Sequence, residues 1–161
     1  MSDLKKQLRK LDVSKLKLKN GHTLEKELKR HASILADCIM EEIDSFYESY
    51  TTKMYRRSYG LYDSLYIEDS VRVDISAQGN SLSIHIGFDD NAIHEGIMGE
   101  EADVVLLLND GYRTHGSFAN VPMFGWRSGA KFLEARIAKY KQSVSKPFLV
   151  RLEKNDEEYY F

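Results

Sequence analysis

Several features are scarce or missing in this chain, and each absence argues against a class of protein. The single cysteine, Cys38, cannot form an internal disulfide, and one cysteine is too few for a cysteine-based zinc site. No apolar run approaches the ~20 residues that a membrane-spanning helix needs. The first residues are charged where a secretion signal would be apolar, so we expect synthesis in the cytosol and no secretion.

The charge of the chain is unevenly distributed. Residues 1–31 hold ten Lys or Arg and four Asp or Glu, a balance of +6, so the remainder must carry −8 to give the total of −2. The hydrophobic fraction of 42% in 161 residues suits one globular domain. We therefore expect a basic arm over 1–22, a single domain over 23–152 and an acidic, aromatic tail over 153–161.

The first long periodic segment predicts a helix. Thr23 is a suitable N-cap residue, and the apolar positions that follow lie on one helical face: Leu24, Leu28, Leu35, Ile39, Ile43, Phe46 and Tyr50. We expect this helix to span residues 24–50. His31 lies on the same face, where packing is a commoner role than metal binding, and Cys38 is expected to be a buried thiol.

Six of the ten tyrosines lie within residues 47–66. The 4, 3, 4 spacing of the last four predicts one face of a second helical segment: Tyr55, Tyr59, Tyr62 and Tyr66. Tyrosine suits a half-buried packing interface, because its ring is apolar and its hydroxyl can reach water. With Arg56 and Arg57 nearby, the same stretch could also stack bases.

The period changes to two after this stretch. Residues 70–76 and 81–88 predict an antiparallel hairpin around Gly79-Asn80, with Val73 and Leu82 on its buried face and His85 on the other. Further on we expect a loop over 88–102, a short helix ended by Gly111, a loop over 114–129, a late helix and a strand from Phe148. The predicted fold class is α+β, with a long N-terminal helix and a late helix packed on a small antiparallel sheet.

Candidate catalytic residues are few. The chain has no nucleophile elbow and no phosphate-binding glycine loop. An acidic region could hold a divalent metal, although its spacing matches no known metal-binding loop: Asp89, Asp90, His94, Glu95, Glu100, Glu101, Asp103 and His115. We expect no catalytic, metal or cofactor site. A metal-dependent DNA-processing enzyme and a free DNA-binding module remain alternatives. The arm residues Lys5, Lys6, Arg9 and Lys10 could contact either DNA or a partner protein.

The stretch "YESYTTKMYRRSYGL" resembles a pattern of small minor structural proteins in long-tailed bacteriophages, Tyr-x-Ser-Tyr-Thr-Pro-x-x-Tyr-x-Arg-Thr-x-x-Leu. The matching residues are Tyr47, Ser49, Tyr50, Thr51, Tyr55, Arg57 and Leu61, while Thr52 replaces proline and Ser58 replaces threonine. The proteins concerned belong to the head-tail connection family, also called neck or tail-completion proteins. The order of elements over roughly residues 30–143 is similar as well, including "LLLNDGY" and the "MFGW" start of the late helix.

The resemblance implies a virion protein of the neck that is made in the host cytoplasm. It would form a ring of identical subunits, hexameric in preference to dodecameric, that contacts connector and tail-tube proteins while double-stranded DNA passes through the lumen. The motif would then be a packing interface. We expect both chain ends to be disordered in the free protein and to order on neighbouring subunits, with Tyr159, Tyr160 and Phe161 as docking residues.

Overall fold

The structure is a computed structural model that describes residues 12–49, 60–76, 79–95, 101–114, 117–118, 121–122 and 125–161. Its α-helices, in chain order, are α1 (Leu24–Ser49), α2 (Gly60–Ser64), α3 (Val104–Asp110) and α4 (Phe132–Ser143). Short 3-10 turns cover Val13–Lys15 and Asp90–Ala92. The long first helix and the late helix confirm the predicted helical part of the fold.

The strands form antiparallel pairs. They are β1 (Leu65–Ile67), β2 (Arg72–Ser76), β3 (Gly79–Ser83), β4 (Ile86–Phe88), β5 (Ile93–Glu95), β6 (Glu101–Asp103), β7 (Gly111–Thr114), β8 (Ser117–Phe118), β9 (Val121–Pro122), β10 (Gly125–Ser128), β11 (Arg151–Lys154) and β12 (Glu157–Tyr160). The pairs are β1 with β4, β2 with β3, β5 with β6, β7 with β10, β8 with β9 and β11 with β12. The mixed α+β class is confirmed. Within the described ranges, the strands form separate two-stranded ladders instead of one small sheet.

Helix α1 begins as its sequence predicts. Thr23 Oγ1 accepts a hydrogen bond from the Lys26 amide at 3.3 Å, which satisfies one of the free amides of the first turn. Leu28, Leu35 and Ile43 are buried along the predicted face. Tyr50, the last residue of the predicted span, lies outside the described residues.

Helix α4 packs against α1 to form most of the core. Phe132, Leu133, Ile137 and Tyr140 are buried on one side of α4. At the edge of this interface Arg136 pairs with Glu42 and Lys139 with Glu41. Because apolar side chains of both helices are removed from water here, this interface supplies a large share of the folding free energy.

A buried asparagine connects α3 to α4. Asn109 is fully buried, and its Oδ1 accepts a hydrogen bond from the Leu133 amide at 2.9 Å. That bond replaces the side-chain cap that the helix otherwise lacks, since Lys131 at the N-cap position makes none. Gly129 is required nearby, because a Cβ there would lie 2.2 Å from the Asn109 carbonyl oxygen. Gly111, with φ of 85°, ends α3 as predicted.

The predicted hairpin over 70–76 and 81–88 is partly wrong. Ser76 pairs with Gly79, so Gly79 and Asn80 are strand residues and not the turn. The second strand stops at Ser83, and β4 pairs instead with β1, because Ile86 and Phe88 pack against the helical core. Val73, expected on a buried face, is 46% exposed. His85 is exposed, as predicted.

Other predicted boundaries also need correction. The expected loop over 88–102 contains β5 and part of β6, and the loop over 114–129 contains β8, β9 and β10. Of the predicted second helical segment, the described part is α2 (Gly60–Ser64), and Tyr66 belongs to strand β1. Tyr55 and Tyr59 lie outside the described residues.

The C-terminal residues do not form the predicted disordered tail. Strands β11 and β12 are joined by Asn155 and Asp156, whose φ angles of 50° and 61° suit a two-residue hairpin turn. Phe161 is not an exposed aromatic: it packs against the core cluster, which explains why the segment folds back on the domain. At the other end, Lys17 bridges Thr23, so the described part of the predicted arm lies against the start of α1.

Candidate functional site

The described residues of the Tyr/Arg motif lie at the end of α1 and in α2. Tyr47 stacks on Tyr62 with ring centroids 4.7 Å apart and planes inclined by 18°. Leu61 is buried in the same cluster. Burial, together with a hydrogen bond to Asp44, raises the pKa of the Tyr62 hydroxyl. These contacts fit a packing interface between the two helices.

The rest of the motif cannot be placed in the same way. Tyr50, Tyr55 and Arg57 lie outside the described residues, and so does the side chain of Ser49. The predicted basic contact residues of the arm also lie outside them: Lys5, Lys6, Arg9 and Lys10. Their roles stay predictions.

His31 lies in a buried polar cluster between α1 and α4. Its Nδ1 is 2.8 Å from the Tyr140 hydroxyl oxygen, and that oxygen also accepts a hydrogen bond from the Phe148 amide at 3.1 Å. The Phe148 ring meets the imidazole edge-on at 4.9 Å. On its other side, His31 Nε2 is 3.4 Å from Glu27, whose charge is already paired with Arg30 at 2.6 Å.

These surroundings favour the neutral form of the His31 imidazole. Burial lowers the pKa of His31, the Arg30 charge lowers it further, and Glu27 compensates only in part. The predicted packing role of His31 is therefore confirmed, with a hydrogen bond to a residue 109 positions away. Cys38, a little further along α1, is buried as predicted, and burial raises the pKa of its thiol.

A second buried cluster holds the C-terminal hairpin, defined here as residues 150–161. Lys154 Nζ donates to Asp110 Oδ1 at 2.8 Å and to Glu134 Oε1 at 2.6 Å, and the Lys154 side chain is only 5% exposed. Lys131 also donates to Asp110, at 2.5 Å. The Tyr159 ring covers the Lys154 ammonium group from the outside, 5.2 Å from its centroid.

The charges of this cluster balance, two lysines against two carboxylates. Burial alone would raise the pKa of the Asp110 carboxyl, but hydrogen bonds from Lys131 and Lys154 outweigh it and lower the pKa to about 2. Burial likewise would lower the pKa of the Lys154 ammonium group, and the two carboxylates raise it instead. Asp110, Glu134 and Lys154 are thus each held in the charged form by their partners in the cluster.

Sequence reasoning missed this cluster. Lys154, Asp110 and Glu134 lie far apart in the chain, and a lone lysine in an acidic segment gives no sign of burial. One signal was available: Asn155-Asp156, between the short segments "RLEK" and "EEYY", joins two residue types that tolerate the left-handed backbone of a tight turn.

Two carboxylates of the acidic region considered for metal binding cap helical turns in the described structure. Asp89 caps the 3-10 turn that follows it, and Asp103 Oδ1 accepts from the Leu106 amide as the N-cap of α3. Over the described ranges, no three His, Cys, Asp or Glu side chains group closely enough to hold a metal ion. The side chains of His94 and Glu95 and the whole of Glu100 and His115 are outside those ranges; Asp90 and Glu101 are exposed.

The three aromatic residues predicted to dock on neighbouring subunits differ in their exposure to solvent. Tyr160 is 61% exposed and Tyr159 is 38% exposed, whereas Phe161 faces the core. Tyr160 donates to Glu158 at 2.6 Å, so the outer face of the hairpin carries both aromatic and acidic groups.

Comparison of the chain with protein-family profiles, with curated proteins and with solved structures finds no match. Among the described residues, no helix combines the length and the apolar character needed to cross a membrane.

Proposed function

We propose that the chain is a structural, non-enzymatic subunit of the bacteriophage neck, which forms a ring joining the DNA-filled head to the tail. The observation that carries the proposal is the Tyr/Arg motif of residues 47–61, where the residue types and their order match the pattern of the head-tail connection family. The protein would be made in the host cytoplasm and incorporated in the virion.

The packing of the motif supports a structural role. Tyr47 stacks on Tyr62, and Leu61 is buried, so the described ends of the motif contribute to the core. Residues that carry out a reaction must reach a substrate. Large aromatic side chains that join two helices instead fix those helices relative to each other, which is what a subunit of defined shape requires.

The exposed apolar residues also suit a subunit with several neighbours. Val73 on β2, Ile93 on β5 and Leu149 beside the C-terminal hairpin are 46%, 43% and 73% exposed. They belong to different segments of the chain. A ring closed by head-to-tail contacts needs two unlike surfaces on each subunit. The partners would be further copies, with a hexamer favoured over a dodecamer, connector and tail-tube proteins, and the DNA in the lumen.

A stop codon in this coding sequence, placed in the phage genome that carries it, tests the proposal. We expect full heads and complete tails that do not join, visible by electron microscopy, and recovery of joined particles when the full chain is supplied in trans. A Leu61→Ala chain supplied at the same level should rescue poorly, whereas a Tyr160→Ala chain should fold normally. Joined, infectious particles without the protein would contradict the proposal.

Nuclease and DNA-binding assays test the two alternative functions, a metal-dependent nuclease and a DNA-binding module. Plasmid DNA incubated with the purified chain and Mg²⁺ or Mn²⁺ should remain intact. Cleavage that disappears in Asp89→Ala or His94→Ala would establish the enzyme instead. Short duplex DNA should show no mobility shift at physiological salt. A shift that weakens steeply with added salt would indicate a DNA-binding module.

A further inference from the structure

Within the described part of the chain, the C-terminal hairpin is attached to the domain through side chains. Its backbone ladder continues from β11 and β12 to a mutual pair of hydrogen bonds between Val150 and Phe161, of 3.2 and 2.9 Å. Among the described strands, neither β11 nor β12 pairs with a third. A two-stranded hairpin is marginally stable by itself, so its order depends on the surface on which it is seated.

That surface is a specific site. The inward face of the hairpin places Val150, Leu152 and Phe161 on the core cluster. On the same face, the ammonium group of Lys154 enters between Asp110 and Glu134. A buried lysine is costly without its partners, so the hairpin has one favourable register on the domain. The apolar contacts hold the hairpin, and the lysine specifies its position.

The connection to the hairpin is suited to opening. Residues 144–149, between the end of α4 and the hairpin, contain neither helix nor strand. Pro147 restricts the backbone there, and Leu149 is 73% exposed. Val144 packs on the core cluster, and the Phe148 amide donates to the Tyr140 hydroxyl at 3.1 Å, so Phe148 must leave together with the hairpin and the segment that opens is the exposed residues 145–147. Three extended residues reach about 10 Å. The hairpin and Phe148 can then leave together without a change in the hairpin's own pairing or in the helices.

We propose that the C-terminal hairpin is exchanged between two copies of the chain, each hairpin seating on the Asp110–Glu134 site of the other. All contacts at the site are the same in the closed and exchanged forms, so the two differ only in the linker and in the entropy of association. The proposal concerns the chain itself and does not require the neck function.

Two full-length variants test the exchange. Lys154→Glu reverses the charge on the hairpin, and Glu134→Lys reverses one charge on the site, so neither variant can seat its own hairpin. In a mixed dimer, one junction is the native Lys154 with Asp110 and Glu134. The other junction joins the two substituted side chains, a carboxylate on the hairpin and an ammonium group on the site. We expect each variant alone to be monomeric and the mixture to give a 1:1 dimer by native mass spectrometry. A mixture that stays monomeric would overturn the proposal.

A shortened linker provides a second measurement if either charge variant fails to fold. Deletion of Ser145 and Lys146 removes about 7 Å of reach from the linker, so it should hinder the hairpin from seating on its own site, and it leaves all other residues unchanged. We expect its mass in solution to double, by size-exclusion chromatography with light scattering. The matched control is Ser145→Gly with Lys146→Gly, which keeps the linker length and should show the same proportion of dimer as the parent chain. A monomeric deletion variant with an unseated hairpin would show that the site accepts only its own chain.

Discussion

His31 and Lys154 are both buried basic residues, and their surroundings act on them in opposite ways. Burial lowers the pKa of His31, and the nearby carboxylate of Glu27 is already paired with Arg30. Burial acts on Lys154 in the same direction, but direct hydrogen bonds to Asp110 and Glu134 reverse the outcome and raise its pKa. The neutral form is selected at one site and the charged form at the other.

The two clusters favour different charge states because they join different parts of the fold. The His31 cluster joins two helices that already share an extensive apolar interface, so neutral hydrogen bonds to Tyr140 suffice. The hairpin has a small apolar face, and a charged group adds the specificity that its few apolar contacts lack. The two clusters should therefore differ in their response to mutation and to pH.

The largest loss of stability is expected from truncation of Tyr140, whose ring is buried in the interface between α1 and α4. Tyr140 is 2% exposed and bonds both His31 and the Phe148 amide, so Tyr140→Ala should cost about 3–5 kcal/mol of unfolding free energy. Denaturant unfolding followed by circular dichroism measures the loss. Tyr160→Ala, which truncates an exposed tyrosine, is the control and should unfold like the parent. Equal midpoints for both variants would show that the Tyr140 site is not part of the core.

Removal of the buried charge should cost less. Lys154→Ala leaves Glu134 without its cation and Asp110 with Lys131 alone, and we expect a loss of about 2–4 kcal/mol, reduced because both carboxylates are partly exposed. The amides of β11 and β12 should also lose protection from hydrogen exchange, while those of α1 keep it. Arg151→Ala, on the outer face of the same hairpin, is the matched control. Protection that is unchanged in Lys154→Ala would contradict the role of the cluster in seating the hairpin.

The comparison also shows which parts of the fold the sequence could predict. Helix α1 was predictable because its signals are local, namely a capping threonine and an apolar stripe with regular spacing. The same holds for α3, whose end at Gly111 depends on one backbone conformation. The His31 and Lys154 clusters instead join residues that lie far apart in the chain. Nothing in the sequence around Lys154 or around Asn109 indicates that either side chain is buried.

The strand predictions failed for a related reason. The alternation through 70–88 indicates strand conformation correctly but does not identify the partner, and β4 pairs with β1 because its apolar side chains reach the helical core there. At the C-terminus, the acidic and aromatic composition indicates a tail, although Asn155 and Asp156 are residue types that tolerate the left-handed backbone of a hairpin turn.

The pH dependence of stability should separate the two clusters. Because the folded pKa of His31 is lowered, its contribution is fully present above its unfolded value of ~6.5 and is lost as the pH falls through the folded value. Unfolding free energies measured at a series of pH values should therefore decline below ~6.5. The decline should be smaller in His31→Gln and unchanged in His85→Gln, an exposed control. A decline that is the same in His31→Gln would assign it to other groups.

The Lys154 cluster should respond in a more acidic range. The pKa of Asp110 is lowered to about 2, so its contribution is fully present above the unfolded value of ~3.9 and is lost as the pH falls toward 2. The Asp110→Asn variant should therefore show a smaller acid loss than the parent below ~4, and the same slope as the parent above it. A difference in slope that appears near neutral pH would place the titration of this cluster elsewhere.

The smallest effect is expected at the turn of the hairpin, and it should be stabilising. Asp156 has φ of 61°, in the left-handed region that costs an ordinary residue roughly 1–2 kcal/mol, less for Asp. Glycine removes that cost but has more entropy in the unfolded chain, which costs roughly 0.5–1 kcal/mol. Asp156→Gly should thus raise the unfolding free energy by a few tenths of a kcal/mol, and Asp156→Ala should lower it. Since neither change touches Lys154 or the linker, the population of exchanged dimer should stay the same in both variants. A dimer population that changes with turn stability would mean that the hairpin unfolds before it leaves its site.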